Sequence, residues 1–152
     1  MKHNHTSSEG SNIQQYSTFI IANHLYGINV MQVQEIVKAM KTTQVPLAKN
    51  YVHGLINLRG QVATAIELRK LLNIHEDAPE ESMNVVCRVD GNLISFMVDK
   101  ISDVIEVSQD EFEPPPNSVP KDIKDLMVGV YKLKNELLSI IDVESIINKI
   151  SA

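Results

Sequence analysis

The segment GLINLRGQVATAIELRKLL at residues 54–72 and the segment GVYKLKNELLSIIDVESII at residues 129–147 follow one pattern, 75 positions apart. Each begins with glycine, continues with apolar residues on both sides of a short turn, and ends in a brief apolar run after a carboxylate. Apolar strands on both sides of a turn predict a β-hairpin, and the final run predicts a short helix. The chain therefore contains one hairpin-and-helix unit written twice.

Matching positions of the two units suit matching structural roles. Gly60 and Asn135 occupy the predicted turns, and glycine and asparagine best tolerate a positive φ. Glu67 and Asp142 stand where a strand passes into a helix, and a carboxylate interacts favourably with a helix N-terminus. We expect helices from Glu67 to Leu72 and from Asp142 onward.

The segment before each unit also repeats, at a spacing of 68 positions. The pattern V-x-x-[VI]-x-[ED]-[IV] matches Val30, Val33, Glu35 and Ile36 to Val98, Ile101, Asp103 and Val104. Two further hairpins are predicted, with turns at residues 23–24 and 90–92. The helical spacing of Val30, Val33 and Val37 predicts a short helix or turn there.

Many short strands separated by glycine and proline indicate small barrels. A half-chain of about 65 residues is marginally stable alone, and two barrels that share an apolar seam gain the missing burial. We therefore predict a mainly β fold of two pseudo-equivalent five-stranded barrels with short helices. One domain at residues 15–150 is expected to hold the first barrel at about 26–80 and the second at about 84–140, with strands exchanged at their ends. Residues 1–14 are expected to form a disordered tail.

The composition excludes several classes of partner. The 152 residues carry a net charge of −5 without any run of lysine or arginine, which argues against nucleic acid and anionic membrane. No apolar stretch approaches the ~20 residues of a membrane span, so direct membrane insertion is not expected. One cysteine, Cys87, cannot form an intramolecular disulfide and fits a reducing cytoplasm.

The sequence contains no recognisable reaction centre. Nucleophile-elbow, zinc-protease, phosphate-loop, dinucleotide and CxxC motifs are all missing. The five histidines are scattered, and Cys87 lies in the apolar strand NVVCRV, which predicts a buried, inert thiol. We predict a protein that is not an enzyme and assign no catalytic, cofactor-binding or metal-binding residue.

Four segments carry a family resemblance: YGINVMQVQEI, HGLINLRGQVATAIELRKLL, MVDKISDVIEV and GVYKLKNELLSIIDVESII. In this order and spacing they resemble the CheW family of bacterial chemotaxis coupling proteins over roughly residues 15–150. The resemblance implies two intertwined, SH3-like five-stranded barrels. The chain departs from the usual family pattern in VATAIELR, where Thr64 and Glu67 replace a proline and an aspartate.

The resemblance also implies a function. It describes an adaptor that joins the cytoplasmic tips of methyl-accepting chemoreceptors to the regulatory domain of the histidine kinase CheA. Such a protein is cytoplasmic, is recruited to membrane-associated receptor arrays, and docks through faces that can close into rings. Two alternatives stay open, namely a CheW-like adaptor of twitching motility, surface sensing or biofilm control, and an unrelated small-barrel binder of oligonucleotide or peptide.

By the same resemblance, two short segments are expected to bind partners. The spacing alone leaves Arg59 open as an ordinary exposed hairpin tip, because the second copy has Lys134 there. The resemblance makes Arg59 the leading candidate, as a charged interface anchor. The other expected protein-binding residues are Val33, Glu35, Ile36, Asn57, Leu58 and Gly60. Val85 and Val104 are weaker candidates, and their positions are more typical of packing.

Overall fold

The computed structural model describes residues 12–151, which form eleven β-strands, three α-helices and two 3₁₀ turns. The first half contains β1 (Ile13–Ile21), β2 (His24–Asn29), β3 (Val33–Lys38), β4 (Val52–Leu58), β5 (Gln61–Glu67) and α1 (Leu68–Leu71). The second half contains β6 (Met83–Val89), β7 (Asn92–Val98), β8 (Lys100–Ser108), β9 (Phe112–Glu113), α2 (Lys121–Lys124), β10 (Met127–Lys132), β11 (Leu137–Ile141) and α3 (Val143–Ser151). The 3₁₀ turns cover Val30–Gln32 and Gln109–Glu111.

The strands form two sheets. One sheet has six strands in the order β8-β1-β2-β11-β10-β9, and the other has five in the order β3-β6-β7-β5-β4. Each sheet curls on itself: Glu35 on β3 contacts Arg59 beside β4, although β3 and β4 are the outermost strands. The rings of Tyr16 on β1 and Tyr131 on β10 likewise have centroids 5.6 Å apart across two intervening strands. The predicted mainly β fold of two barrels is confirmed, and one barrel gains a sixth short strand.

The chain crosses between the sheets twice, which corrects the predicted barrel boundaries. After β2 it leaves the six-stranded sheet, and β3 pairs with β6; after β7 it returns, and β8 pairs with β1. Strand β2 therefore lies outside the barrel predicted at residues 26–80. Strands β6 and β7 lie outside the one predicted at 84–140. A hairpin is a local signal, whereas the sheet that it joins depends on long-range pairing.

Two smaller expectations also change. The segment from Val33 to Lys38 is a strand with alternating burial, and only Val30–Gln32 forms a helical turn. Pairing with β6 outweighs the helical spacing of three valines, whose β-branched side chains favour a pleated sheet. The tail predicted at residues 1–14 does not include Ile13 and Gln14, because both residues pair with β8. Residues 1–11 of that expected tail lie outside the described residues.

All four predicted hairpins are present as antiparallel pairs, and the two copies of the repeated unit share a close backbone approach. A Cβ atom at Gly54 would lie 2.6 Å from the carbonyl oxygen of Thr43, and one at Gly129 would lie 2.5 Å from that of Glu113. Each glycine thus lets a neighbouring segment pack against the hairpin. The turns differ, however, because positive φ values occur at Arg59 and Gly60 but not at Asn135.

The two strand-to-helix junctions are also related by the repeat. The backbone N–H of Glu67 donates to the carbonyl of Tyr51 at 2.8 Å, and that of Asp142 donates to the carbonyl of Leu126 at 2.9 Å. As predicted, Asp142 caps its helix, since its Oδ1 accepts from the N–H of Ser145 at 3.0 Å. The carboxylate of Glu67 makes no such bond, and its Oε2 lies 3.3 Å from Nζ of Lys70 instead.

Three apolar clusters hold these elements together. The largest fills the seam between the sheets, where Phe19 and Ile28 meet Val85, Phe96 and apolar residues of α1 and α3. Smaller clusters fill the interior of each barrel. Strand β6 is buried on both faces, which explains its nearly continuous apolar sequence.

Candidate functional site

Arg59 lies in a turn whose backbone does not favour arginine. Leu58 pairs with Gln61, and the two residues between them have φ values of 54° and 91°. A two-residue hairpin turn with both φ values positive favours asparagine or aspartate followed by glycine. Gly60 suits its position, whereas a left-handed conformation costs arginine about 1 kcal/mol. The turn is held by Asn57, whose Oδ1 accepts from the N–H of Gly60 at 2.8 Å.

The side chain of Arg59 forms an ion pair with Glu35. Nη2 of Arg59 donates to Oε1 of Glu35, which joins the turn after β4 to strand β3. The arginine side chain is 72% exposed and the glutamate side chain 21% exposed. An exposed pair stabilises the fold by only about 0–1 kcal/mol, which hardly offsets the backbone cost. The geometry therefore favours a role for the guanidinium group at the surface over a role in folding.

Arg88 braces the same end of the barrel. From strand β6 its Nε donates to Oε1 of Gln34 on β3, and its Nη2 donates to Oε1 of Gln61 at the start of β5, both at 2.7 Å. No sequence motif had indicated Arg88, Gln34 or Gln61 as part of this end of the barrel. Arg88 is the one charged residue in NVVCRV and precedes a predicted turn, which was the only available signal. These hydrogen bonds support the strands that carry Glu35 and Arg59.

The structure brings together some of the predicted binding residues and separates others. Glu35, Asn57, Arg59 and Gly60 lie at one end of the five-stranded barrel, which we call the Arg59 surface. Ile36 follows Glu35 in β3 and therefore points to the opposite face of the strand, where it is 40% exposed.

The remaining candidates divide by burial. Leu58 lies inside the five-stranded barrel and Val85 in the seam, and neither is more than 4% exposed. Their side chains are core, so the expectation that they contact a partner is corrected. Val33 is half-buried and packs against the seam cluster. Val104 is 58% exposed on β8, in the other barrel, and lies apart from the Arg59 surface.

Within residues 12–151 no group of three or more histidine, cysteine or acidic residues could hold a metal ion. In the same part of the chain no helix is long and apolar enough to span a membrane. Cys87 is fully buried, and this burial raises the pKa of its thiol to about 12.

Comparison with known proteins gives one consistent result. The profile described as the CheW-like domain matches residues 15–151. The "Chemotaxis protein CheW" of Bacillus subtilis is 36% identical over 135 residues, which cover 88% of this chain and 86% of that protein. The "Chemotaxis protein CheW" of Helicobacter pylori is 31% identical over 142 residues, which cover 93% of this chain and 86% of that protein.

A solved structure agrees with these relatives. The scaffolding protein TtCheW from Thermoanaerobacter tengcongensis superimposes with a TM-score of 0.78 and 27% identity, over 86% of this chain and 84% of that one. The resemblance inferred from the four sequence segments is confirmed, and with it the expectation of a chemotaxis coupling adaptor. The chain belongs to the CheW-like domain family.

Proposed function

We propose that this chain is a non-enzymatic adaptor that links the cytoplasmic tips of chemoreceptors to the regulatory domain of the histidine kinase CheA. The relatives named as chemotaxis proteins and the scaffolding protein of the same fold support this role. The adaptor would reach the membrane by binding receptors, and its place is therefore the cytoplasmic receptor array.

The observation that carries the proposal is the Arg59–Glu35 pair. The Arg59 side chain projects from a short turn, one of its nitrogens is held by Glu35, and most of its surface faces solvent. A guanidinium held in place loses less entropy when a partner carboxylate or carbonyl binds it. Neighbouring Val62 is 60% exposed and lies across from Asn57 in the strand pair, which gives the Arg59 surface an apolar border.

Because the fold is duplicated, the six-stranded barrel has an end that is equivalent to the Arg59 surface but differs from it in detail. In the six-stranded barrel the positions equivalent to Glu35 and Arg59 are Asp103 and Lys134, and both are exposed. Between these two residues the described structure has no ion pair. Two related but unequal ends allow one protein to have two different neighbours, as a head-to-tail ring requires.

Binding measurements with purified components test the proposal. The chain should bind the kinase regulatory domain and a receptor-tip fragment in isothermal titration calorimetry. Arg59→Glu should weaken at least one of these affinities about tenfold or more. Lys134→Glu, at the equivalent turn, is the matched charge-reversal control and should leave that same affinity nearly unchanged. Failure of the unaltered chain to bind either component would refute the proposed function.

A further inference from the structure

Each barrel contains one parallel strand pair, and the two pairs have the same register. In the five-stranded sheet Thr64 on β5 lies opposite Ile94 on β7; in the six-stranded sheet Ser139 on β11 lies opposite Tyr26 on β2. Ser139 is 75 positions after Thr64, and Ile94 is 68 after Tyr26, which are the two spacings of the sequence repeat. The outer faces of these strand pairs are therefore equivalent surfaces.

The equivalent surfaces are covered differently. Over β5 and β7 lies α3, whose Ile147 and Ile150 pack against the seam cluster and leave a residual cavity of about 90 Å³ beside Thr64. Over β11 and β2 lies Leu72, the residue after α1, which borders a cavity there with Tyr26 and Ser139. Helix α1 itself ends at Leu71, and the chain turns at Asn73, where φ is 57°. The helix that follows β11 has nine residues, whereas the equivalent helix that follows β5 has four.

The missing helical turns leave an open groove. A cavity of about 390 Å³ lies over β2 and β11, bordered by Leu25, Tyr26 and Leu137. A second cavity of about 170 Å³ adjoins it through Tyr26 and Leu137, with Leu72 and Ile123 in its wall. The volume of the larger cavity is within the range of pockets that hold small ligands, which is roughly 300–1,000 Å³. We call the two cavities together the β2–β11 groove.

The rim of the groove is acidic. Glu136 lines it, and Glu76 lies near enough to Tyr26 to reinforce the effect of burial in raising the pKa of that phenol. Among the residues that line either cavity there is no lysine or arginine, and His24 is the one basic side chain. Helix α3, which covers the equivalent surface, carries Lys149 between its two isoleucines. A basic flank on an incoming helix would thus complement this rim.

We propose that the β2–β11 groove is a docking site for an amphipathic helix of a partner protein. The helix would present two apolar side chains three positions apart and a lysine or arginine beside them, as α3 does. Helix-in-groove recognition uses apolar anchors at this spacing. The site lies on strands other than those of the Arg59 surface, and the inference does not depend on the proposed function.

A helix with the sequence of α3 is the appropriate probe. The peptide covers residues 142–151 and is held helical by a hydrocarbon staple that replaces the exposed Glu144 and Asn148. It is titrated into the isotopically labelled full chain, and backbone amide shifts are followed by NMR. Saturable shifts are expected at Tyr26, Leu137 and Ser139. A stapled peptide with Ile147→Ser and Ile150→Ser should cause no saturable shift.

Variants of the full chain locate the binding site. Leu137→Glu places a carboxylate in the groove and should weaken binding at least about tenfold. Val128→Glu is the matched control, since Val128 is 47% exposed on the neighbouring strand β10 and lines neither cavity; Leu137 is 42% exposed. Lys149→Glu in the peptide should also weaken binding, because the rim is acidic.

Three outcomes would overturn the proposal. The first is the absence of saturable shifts in the groove, and the second is an equal effect of Leu137→Glu and Val128→Glu. The third is a set of shifts centred on Thr64 and Asn92, because the peptide would then be replacing the chain's own α3. That result would indicate helix exchange between copies of this chain, with no separate helical partner in the groove.

Discussion

Arg69 and Asp99 form an ion pair where the chain returns from the five-stranded to the six-stranded sheet. Their side chains are only 12% and 14% exposed, and Nη2 of Arg69 lies 3.2 Å from Oδ2 of Asp99. The same guanidinium donates to the carbonyls of Glu76 and Asp77, and Asp99 accepts from the N–H of Ala22 at 2.9 Å. One arginine thus connects α1, the segment after it, the crossover and the β1–β2 turn.

Removing one partner of this pair should destabilise the fold strongly. Arg69→Ala leaves a largely buried carboxylate without its partner, and we expect a loss of about 3–5 kcal/mol in the free energy of unfolding. Denaturant titration measures it. Lys121→Ala serves as control, because Lys121 pairs with Asp125 in the open, and its loss should be below about 0.5 kcal/mol. Equal effects of the two variants would show that the junction is not a structural centre.

The two repeat glycines should be equally intolerant of a side chain. Gly54→Ala and Gly129→Ala each place a methyl group against the backbone of a neighbouring segment, and each should cost about 1–3 kcal/mol. Gly91→Asn is the control, because nothing lies within 4 Å of a Cβ there and asparagine tolerates its positive φ. The melting temperatures of the three variants measure these losses of stability. A neutral Gly129→Ala would mean that β9 does not pack closely against β10.

Asp142 and Glu67 occupy matching positions but should differ in their contribution to stability. Asp142→Ala removes the hydrogen bond to the Ser145 N–H and should cost about 1 kcal/mol. Glu67→Ala removes no cap and should cost clearly less. The pair of variants is compared by denaturant unfolding at neutral pH. A larger loss for Glu67→Ala would contradict the assignment of the cap.

Burial of Cys87 predicts both its reactivity and a pH dependence. A thiol-reactive reagent at pH 8 should label the unfolded chain quickly and the folded chain only as it unfolds, because the thiolate reacts. The pKa of this thiol rises from 9.0 in an exposed cysteine to about 12 in the fold. The contribution of the protonated, buried thiol to the free energy of unfolding is therefore complete below pH 9. Above pH 9 this contribution declines, by up to about 1.4 kcal/mol per pH unit.

The variant Cys87→Ala isolates this effect. It loses packing at every pH, but its free energy of unfolding should fall less steeply than that of the unaltered chain between pH 9 and pH 10. If the free energy of unfolding fell equally steeply with pH in the two proteins, Cys87 would not be the cause of the pH dependence.

The hairpins could be predicted from the sequence because turn residues and their flanking strands are neighbours in the chain. The passage of β3 and β8 to the opposite sheet could not, since it depends on pairing with strands about 50 and 90 residues away (Val33 with Cys87, Tyr16 with Ile105). The short helix or turn predicted over residues 30–37 is limited to Val30–Gln32 for the same reason. A short apolar pattern does not indicate which strand the segment will pair with.

The candidate site was predicted in part. Family resemblance pointed to Glu35 and Arg59, and the structure adds the contact between them. Resemblance did not separate surface from core, so Leu58 was expected to bind a partner although it is buried, whereas the burial of Val85 fits the packing role expected of that weaker candidate. The β2–β11 groove was missed because the matched apolar pairs after Glu67 and Asp142 suggested two similar helices. Their difference in length follows from the turn at Asn73, which has no counterpart in α3.

Sedimentation of the kinase with receptor-bearing membranes tests the coupling role most directly. The amount of CheA in the membrane pellet is measured with the unaltered chain, with Arg59→Glu, without the chain, and with the control Lys121→Glu, whose lysine is exposed and pairs only with Asp125. If the chain links receptors to the kinase through the Arg59 surface, the unaltered protein and the control should raise the pelleted kinase severalfold, and Arg59→Glu should not. Equal amounts of pelleted kinase with and without the chain would contradict the coupling role.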